Sequence, residues 1–156
     1  MIGAALTERL LNNEHQVIAV MRPQSSKRQE LEKLPIIKSV FCNMEDYGTL
    51  SERIDGKVDA AVLLAWSGIR GQARMDAAIQ RQNEVYNTSL LPQLCKLGCQ
   101  TIMTAGSQAE YGPWSSEQAQ SEDSPTCPNT EYGKSKLRFY HTAHAFCQSQ
   151  GIRLIE

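Results

Sequence analysis

The chain alternates between segments with helical spacing of apolar residues and short, continuous apolar runs. The most strand-like run, at 58–65, lies between two longer segments of helical character. Strands joined by helices require right-handed crossovers, which place the strands parallel in a sheet that is covered by helices on both faces. The alternation therefore predicts the α/β class with a doubly wound parallel sheet.

Apolar periodicity and helix-breaking residues set the predicted boundaries. Strands are predicted at 16–21, 36–41, 58–65, 101–105 and 152–155. Helices are predicted at 3–13, 25–34, 47–54, 74–97 and 131–150, and a long loop rich in Ser, Pro, Gln and Asn at 112–130. Pro92 lies inside the fourth helix and predicts a kink or an internal break.

The composition excludes several classes of protein. A chain of 156 residues has the size of one domain, and 16 Lys and Arg against 17 Asp and Glu give a net charge of -1. This balance provides no basic field for a nucleic acid. The mean hydropathy of -0.40 argues against a membrane span, and Glu8 and Arg9 argue against a secretory signal. We therefore expect a cytoplasmic domain that binds neither nucleic acid nor membrane.

The cysteines and histidines follow no disulfide or metal-binding pattern. The five cysteines are odd in number and irregular in spacing, so reduced thiols are expected. His141 and His144 share one predicted helix face, but no third ligand is evident in the sequence. No bound metal is predicted.

Five short motifs occur in a fixed order along the chain. They are Leu64-Ala65-Trp66 at a strand end, Asn83 on the helix that leads to Leu90-Leu91, Ser107-Gln108-Ala109-Glu110-Tyr111-Gly112 after a strand, Glu122, Pro125 and Pro128 as E-x-x-P-x-x-P, and Tyr132-Gly133-Lys134-Ser135-Lys136 as Y-x-x-x-K. Together they resemble the extended short-chain dehydrogenase/reductase superfamily, specifically the NAD-dependent epimerase/dehydratase group that acts on nucleotide sugars. The resemblance covers the whole chain and implies a Rossmann-like fold.

The resemblance also implies that this Rossmann-like sheet is incomplete. Residues 1–6 resemble the tail of a G-x-x-G-x-x-G turn, in which Gly3 is the last glycine and lets its helix pack close to a strand. The first strand and the earlier glycines are missing, so residues 1–156 are expected to form a partial NAD(P)-binding domain. Strands 16–21 and 36–41 should then lack their bridge to the other strands, and the substrate-binding region is expected to be absent. The chain alone should bind dinucleotides poorly and be inactive.

Tyr132 and Lys136 carry the chemistry that the resemblance implies. Residues four apart on a helix lie on one face, and a nearby ammonium group favours the phenolate form of a phenol. Ser107 offers a hydroxyl to a substrate carbonyl or carbinol oxygen, and Lys136 also reaches the cofactor ribose. The implied catalytic residues are Ser107, Tyr132 and Lys136, and the implied cofactor-binding residues are Gly3, Arg22, Asn43, Leu64, Ala65, Trp66, Asn83, Tyr132 and Lys136.

The end of the first predicted strand favours NADP over NAD. Met21-Arg22 stands where an acidic residue would bind the adenosine ribose 2′-hydroxyl of NAD, and an arginine suits the 2′-phosphate of NADP. Stacking of Arg22 on the adenine is the alternative, which leaves NAD open. Trp66 suits packing as well as cofactor contact, and Asn83 is alternatively an ordinary helical residue.

The residues after Ser107 disfavour dehydration. Nucleotide-sugar dehydratases of this family resemble one another in having Asp-Glu directly after the catalytic Ser/Thr. Here Gln108-Ala109 follows, and Glu110 comes one place too late and should point elsewhere. The resemblance therefore implies hydride transfer at a nucleotide-linked sugar by an epimerase or a 4-keto reductase, and a homodimer for the intact protein. The alternative is a non-catalytic dinucleotide-binding module that regulates a partner.

Overall fold

The computed structural model describes residues 2–26, 28–31, 33–35, 38–113 and 119–156. Parts of the predicted helix 25–34, the first two residues of the predicted strand 36–41 and residues 114–118 of the predicted loop lie outside the described residues.

Within the described residues, five short strands alternate with four α-helices and three 3₁₀ helices. The strands are β1 (Ile18–Met21), β2 (Lys38–Phe41), β3 (Ala60–Leu63), β4 (Thr101–Thr104) and β5 (Arg153–Ile155). The α-helices are α1 (Ile2–Asn12), α2 (Arg28–Leu31), α3 (Ala77–Lys96) and α4 (Glu131–Gln150). The 3₁₀ helices are Met44–Arg53, Gly71–Arg74 and Gln108–Glu110. The predicted α/β alternation is confirmed.

The strands form two separate parallel sheets. β1 pairs with β2, with Ile18 opposite Lys38, and β4 lies between β3 and β5, with Thr101 opposite both Ala60 and Arg153. No described strand pairs with the remaining edge of β1 or of β3. The sequence predicted this arrangement, an incomplete Rossmann-like sheet in which the first two strands lack a bridge to the others.

The core lies between α3, α4 and one face of the sheets. Its buried side chains include Leu91, Ile102, Phe139, Ala143 and Cys147, and the 3₁₀ helix 44–53 packs against α3 on the same side. The opposite face is covered only in part, because α1 has no fully buried residue. Exposed apolar side chains on the strands and at their ends are Val20, Val62, Leu64 and Met103. Within the described residues, helices thus cover one face of the sheets more fully than the other.

The two long helices begin and end at identifiable capping residues. The Asp76 side chain accepts the N–H groups of Ala78 and Ile79, so α3 starts there and not at the predicted residue 74. The helix continues through Pro92, so the internal break does not occur. Thr130 caps the start of α4, and Gly151, with φ of 66°, ends it at the predicted boundary. In the described part of the chain, no helix is both long and apolar enough to cross a membrane.

Candidate active site

Ser107 lies just beyond the carboxyl end of β4, at the start of a short 3₁₀ helix. Its hydroxyl accepts the Ala109 N–H at 3.2 Å, and the Glu110 carboxylate accepts the Ser107 N–H at 2.7 Å. These reciprocal bonds form a capping box, which fixes both the backbone and the side chain of Ser107. Because the Ser107 oxygen accepts a bond, its own proton remains available for a substrate oxygen.

Lys136 lies in the second turn of α4, and its side chain reaches the backbone just after β4. Its ammonium group donates to the Ala105 carbonyl at 2.5 Å and lies 4.2 Å from the centre of the Trp66 ring. Lys136 is buried, and burial lowers the pKa of its ammonium group, while the charges of Glu110 and Glu156 oppose that change.

Trp66 connects Lys136 to Tyr132. The Tyr132 ring meets Trp66 edge-on at 6.4 Å between centroids, and Trp66 donates its indole N–H to Gln80 at 2.8 Å. Trp66 also packs against Phe139 of α4. Trp66 is therefore a packing residue in this structure, and its contact with a cofactor stays a prediction.

Gly133 sets the separation between α4 and the segment after Ser107. A Cβ atom at position 133 would lie only 2.2 Å from the Ala109 carbonyl oxygen, so only glycine fits at this approach. The first turn of α4, which carries Tyr132, is thereby held against the 3₁₀ helix that begins after Ser107. The three residues of the predicted catalytic set thus lie on two elements in direct contact.

A cavity of about 280 Å³ opens beside Ser107. It is lined by Arg74, Ser107, Gln108, Ala109, Gly112, Pro113, Asn129 and Thr130. The Arg74 guanidinium lies 4.7 Å from the centre of the Tyr132 ring, so the cavity is also adjacent to Tyr132. The sequence analysis did not identify Arg74 as a site residue and placed it at the start of the predicted helix 74–97, whereas it is the last residue of the 3₁₀ helix Gly71–Arg74.

A second cavity, of about 250 Å³, lies at the carboxyl ends of β1 and β2. It is lined by Arg22, Asn43, Met44, Glu45, Ser67 and Tyr86. Two predicted cofactor-binding residues, Arg22 and Asn43, are therefore brought together. Glu45 places a carboxylate in the same cavity, which the sequence analysis did not consider.

Asn83 is buried and its amide is occupied by the protein itself. The side chain donates to the Ser67 carbonyl and accepts the Ser67 N–H, both at 2.9 Å. Asn83 therefore fixes the segment that follows β3, and a direct cofactor contact stays a prediction.

Gly3 and Leu64, two other predicted cofactor-binding residues, are neighbours without a tight contact. A Cβ at Gly3 would make an ordinary contact, 3.5 Å from the exposed side chain of Leu64.

Ala65 is half-buried, and its carbonyl accepts a long bond of 3.5 Å from the buried amide of Asn87. Leu64, Ala65 and Gly3 thus lie near one another in the chain or in space, but their role toward a cofactor stays a prediction.

Glu84 joins α3 to α4 through a buried carboxylate. It accepts two N–H groups of Arg138 and the hydroxyl of Ser135 at 2.6 Å. Burial alone would raise the pKa of Glu84, but the bonds from Arg138 and Ser135 outweigh it and hold the pKa below its ordinary value. Since α4 carries Tyr132 and Lys136, this link fixes the orientation of the helix. The sequence analysis did not identify Glu84.

Glu110 and Glu156 are further carboxylates near Lys136. Burial raises the pKa of Glu110, and burial together with the Glu110 charge raises the pKa of Glu156 to about 7. The S-x-x-E spacing of Ser107 and Glu110 is a capping-box signature that was readable in the sequence. The effect of Glu110 on Lys136 was not readable in the sequence, because the 3₁₀ helix Gln108–Glu110 and α4 meet only in the folded chain.

The parallel sheets and the helices packed on them define an α/β domain with a Rossmann-like fold. The chain belongs to the NAD-dependent epimerase/dehydratase family, whose model matches residues 1–156. No curated protein matches the sequence significantly.

Solved structures of several sugar-nucleotide epimerases share the fold. A UDP-glucose 4-epimerase is similar with a TM-score of 0.84 at 20% identity, over 98% of this chain and 46% of its own. The UDP-Glc/GlcNAc 4-epimerase of Campylobacter jejuni gives 0.82 at 23%, over 96% and 46%. The UDP-glucose 4-epimerase of Brucella ovis in complex with NAD gives 0.81 at 21%, over 99% and 47%. The chain thus spans about half the length of these structures.

Proposed function

We propose that the complete gene product is an NAD(P)-dependent enzyme that transfers hydride at a nucleotide-linked sugar, as an epimerase or a 4-keto reductase. The observation that carries this proposal is the fixed arrangement of Ser107, Tyr132 and Lys136 beside an open cavity. Ser107 is oriented by the capping box, Lys136 by the Ala105 carbonyl, and Tyr132 by its contacts with Trp66 and Arg74. Family membership supports the cofactor class, and the likeness to UDP-sugar 4-epimerases supports the substrate class.

In the proposed reaction the protein's own residues handle the proton of the sugar. Ser107 donates a hydrogen bond to the reacting oxygen, and Tyr132 accepts that oxygen's proton as the carbinol becomes a ketone. Tyr132 returns the proton when the ketone is reduced, and Lys136 favours its phenolate form. When bound, the nicotinamide supplies the hydride acceptor and donor. An epimerase returns the hydride to the opposite face of the sugar, whereas a reductase starts from the ketone.

We propose that the cavity lined by Arg22 and Asn43 holds the adenosine end of the cofactor. The lining of the cavity includes charged and polar side chains, and it lies at the carboxyl edge of parallel strands, where dinucleotides bind in this fold class. NADP is preferred in this proposal, because Arg22 can form a charge-assisted bond with a 2′-phosphate. Glu45 opposes a phosphate in the same cavity, so the preference depends on Arg22 outweighing Glu45.

Two further features belong to the proposal. The complete protein is a homodimer, which sedimentation of the purified protein tests, and it resides in the cytoplasm. Dehydration is disfavoured, since the residues at 108 and 109 are Gln and Ala and the Glu110 carboxylate is bound to the Ser107 N–H.

Hydride transfer separates this proposal from a non-catalytic regulatory module. The complete gene product is mixed with NADP or NAD and a panel of UDP- and dTDP-hexoses and their 4-keto forms, and reduced cofactor is followed in a single turnover. Formation or consumption of reduced cofactor supports the enzyme. Cofactor binding without any redox change across the panel would favour the regulatory module.

A further inference from the structure

Glu110 is a buried carboxylate at the proposed active site that the mechanism above does not use. It is 4% exposed and is the last residue of the 3₁₀ helix that follows Ser107. A buried carboxylate disfavours folding unless it is paired or hydrogen-bonded, because the charge loses its hydration. Its position next to two of the three proposed catalytic residues requires an explanation.

The first contact of Glu110 is with Ser107. One carboxylate oxygen accepts the Ser107 N–H at 2.7 Å, and the Ser107 hydroxyl in turn accepts the Ala109 N–H at 3.2 Å. With the peptide N–H and the hydroxyl oxygen both engaged, the remaining freedom of Ser107 is its hydroxyl proton. Glu110 therefore restricts the direction in which Ser107 can donate.

The second relationship is between charges. Glu110 and Lys136 each lie close enough to influence the other, since Glu110 raises the pKa of Lys136 and Lys136 lowers that of Glu110. Among the described residues, the other titratable groups that act on this pair are Glu156, which follows β5, and His141 on α4. Among the described residues Lys136 forms its direct bond with the Ala105 carbonyl and not with a carboxylate. The buried ammonium is therefore balanced through space.

We propose that Glu110 is a positioning residue of this site, which holds the Ser107 backbone with one oxygen and places a carboxylate near the buried Lys136 ammonium group. This inference rests on the proposed function for the meaning of Ser107 and Lys136, but its physical content is independent of any reaction. The Glu110 side chain thus acts on both Ser107 and Lys136 of the proposed Ser-Tyr-Lys set.

Two substitutions in the complete gene product separate the two roles. Glu110→Gln keeps an oxygen that can accept the Ser107 N–H but removes the charge, whereas Glu110→Ala removes both. Glu52→Gln, at an exposed glutamate of the 3₁₀ helix 44–53, is the matched control for loss of a carboxylate.

The readout that does not depend on activity is the titration of Lys136. Its ¹³Cε resonance, assigned with a Lys136→Arg sample, is followed with pH by NMR in each variant. In Glu110→Gln we expect Lys136 to lose its proton at lower pH than in the wild type, and no change in Glu52→Gln. An unchanged Lys136 titration in Glu110→Gln would overturn the proposal.

Steady-state kinetics of the same variants test whether Glu110 positions Ser107. We expect Glu110→Gln to move the basic limb of the kcat profile to lower pH, and Glu110→Ala to lower kcat about ten- to a hundredfold at its best pH with little change in the KM for cofactor. Equal kcat in wild type and Glu110→Ala would overturn the positioning of Ser107. A shifted Lys136 titration in a protein without any hydride transfer supports the charge pairing and overturns only the proposed function.

Discussion

The carbonyl oxygen of Ala109 lies against the α-carbon of Gly133, so closely that a Cβ atom there would stand 2.2 Å from it. This contact joins the segment that begins at Ser107 to the helix that carries Tyr132 and Lys136. Neither backbone can yield easily, since one is in a capped 3₁₀ helix and the other in the first turn of α4. The glycine of the Y-G-x-S-K motif is thus a steric requirement of the site.

We expect Gly133→Ala to destabilise the protein by about 1–3 kcal/mol and to lower turnover more than stability alone explains, because α4 must move away from Ser107. Gly48→Ala is the matched control, since a Cβ there would meet Ser89 at an ordinary 4.0 Å. Urea unfolding and kcat of both variants are the measurements. Wild-type stability and kcat in Gly133→Ala would show that the two elements separate without cost.

Tyr132→Phe removes the hydroxyl that is proposed to exchange the proton. We expect turnover to fall about a hundredfold or more with unchanged cofactor affinity. Tyr140→Phe, on the same helix but in contact with His141 and His144, should leave kcat unchanged. Near-normal kcat in Tyr132→Phe, with normal cofactor binding by titration, would remove Tyr132 from the proposed catalytic set.

Arg22 and Glu45 line one cavity with opposite charges. We expect Arg22→Asp to lower the ratio of NADP to NAD affinity about ten- to a hundredfold, the range of one charge-assisted bond. Glu45→Gln should shift the same ratio toward NADP. The dissociation constants of both dinucleotides, measured calorimetrically on the complete protein, give the ratio. Equal ratios in the wild type and Arg22→Asp would exclude a 2′-phosphate contact.

The Glu84–Arg138 pair makes stability depend on pH in a defined direction. The pKa of Glu84 lies below its ordinary value of 4.5 in the folded protein, so its contribution is present above that value and is lost as the pH falls through the folded pKa. We expect Glu84→Gln to lower the free energy of unfolding at pH 7 by about 1–3 kcal/mol, below the value for a fully buried pair because the Arg138 side chain is 45% exposed.

The difference between wild type and Glu84→Gln should shrink on acidification below pH 4.5. Glu131→Gln, which breaks a more exposed pair with Lys134 on the same helix, should change stability by about 0.5 kcal/mol or less. Urea unfolding at neutral and acidic pH measures both. A pH-independent effect of Glu84→Gln would show that packing, not charge, joins the two helices.

Local signals predicted the elements well where capping residues mark them. The predicted helix 131–150 agrees with α4 because Thr130 and Gly151 cap it. The predicted helix 74–97 begins too early, although Asp76 was a readable N-cap. Of the kink or internal break predicted at Pro92, the break does not occur, since tertiary packing of α3 on α4 and on 44–53 outweighs the loss of one helical bond.

The site was predictable in part. The Y-x-x-x-K spacing predicted that Tyr132 and Lys136 lie on one helix, and both lie on α4. The hydrogen bonds of the residues packed around them, such as Trp66, were not predictable from the sequence. Gln80 is fully buried in a polar stretch because its amide bonds the carbonyls of Gly68 and Ala73 and the Trp66 indole. Those groups converge only when the segment after β3 folds back on α3. No periodicity in the sequence encodes that meeting.

The cavity of Arg22 and Asn43 takes its walls from both sheets, since Arg22 and Asn43 follow β1 and β2 whereas Ser67 follows β3 and Tyr86 lies on α3. No described strand joins the two sheets, so their relative placement depends on side-chain contacts such as those of 44–53 with α3. A molecule held in this cavity would contact both parts, and its binding free energy would oppose their separation. Occupancy of the cavity and slow amide exchange along β1 and β3 are then thermodynamically linked, and each becomes a measure of the other.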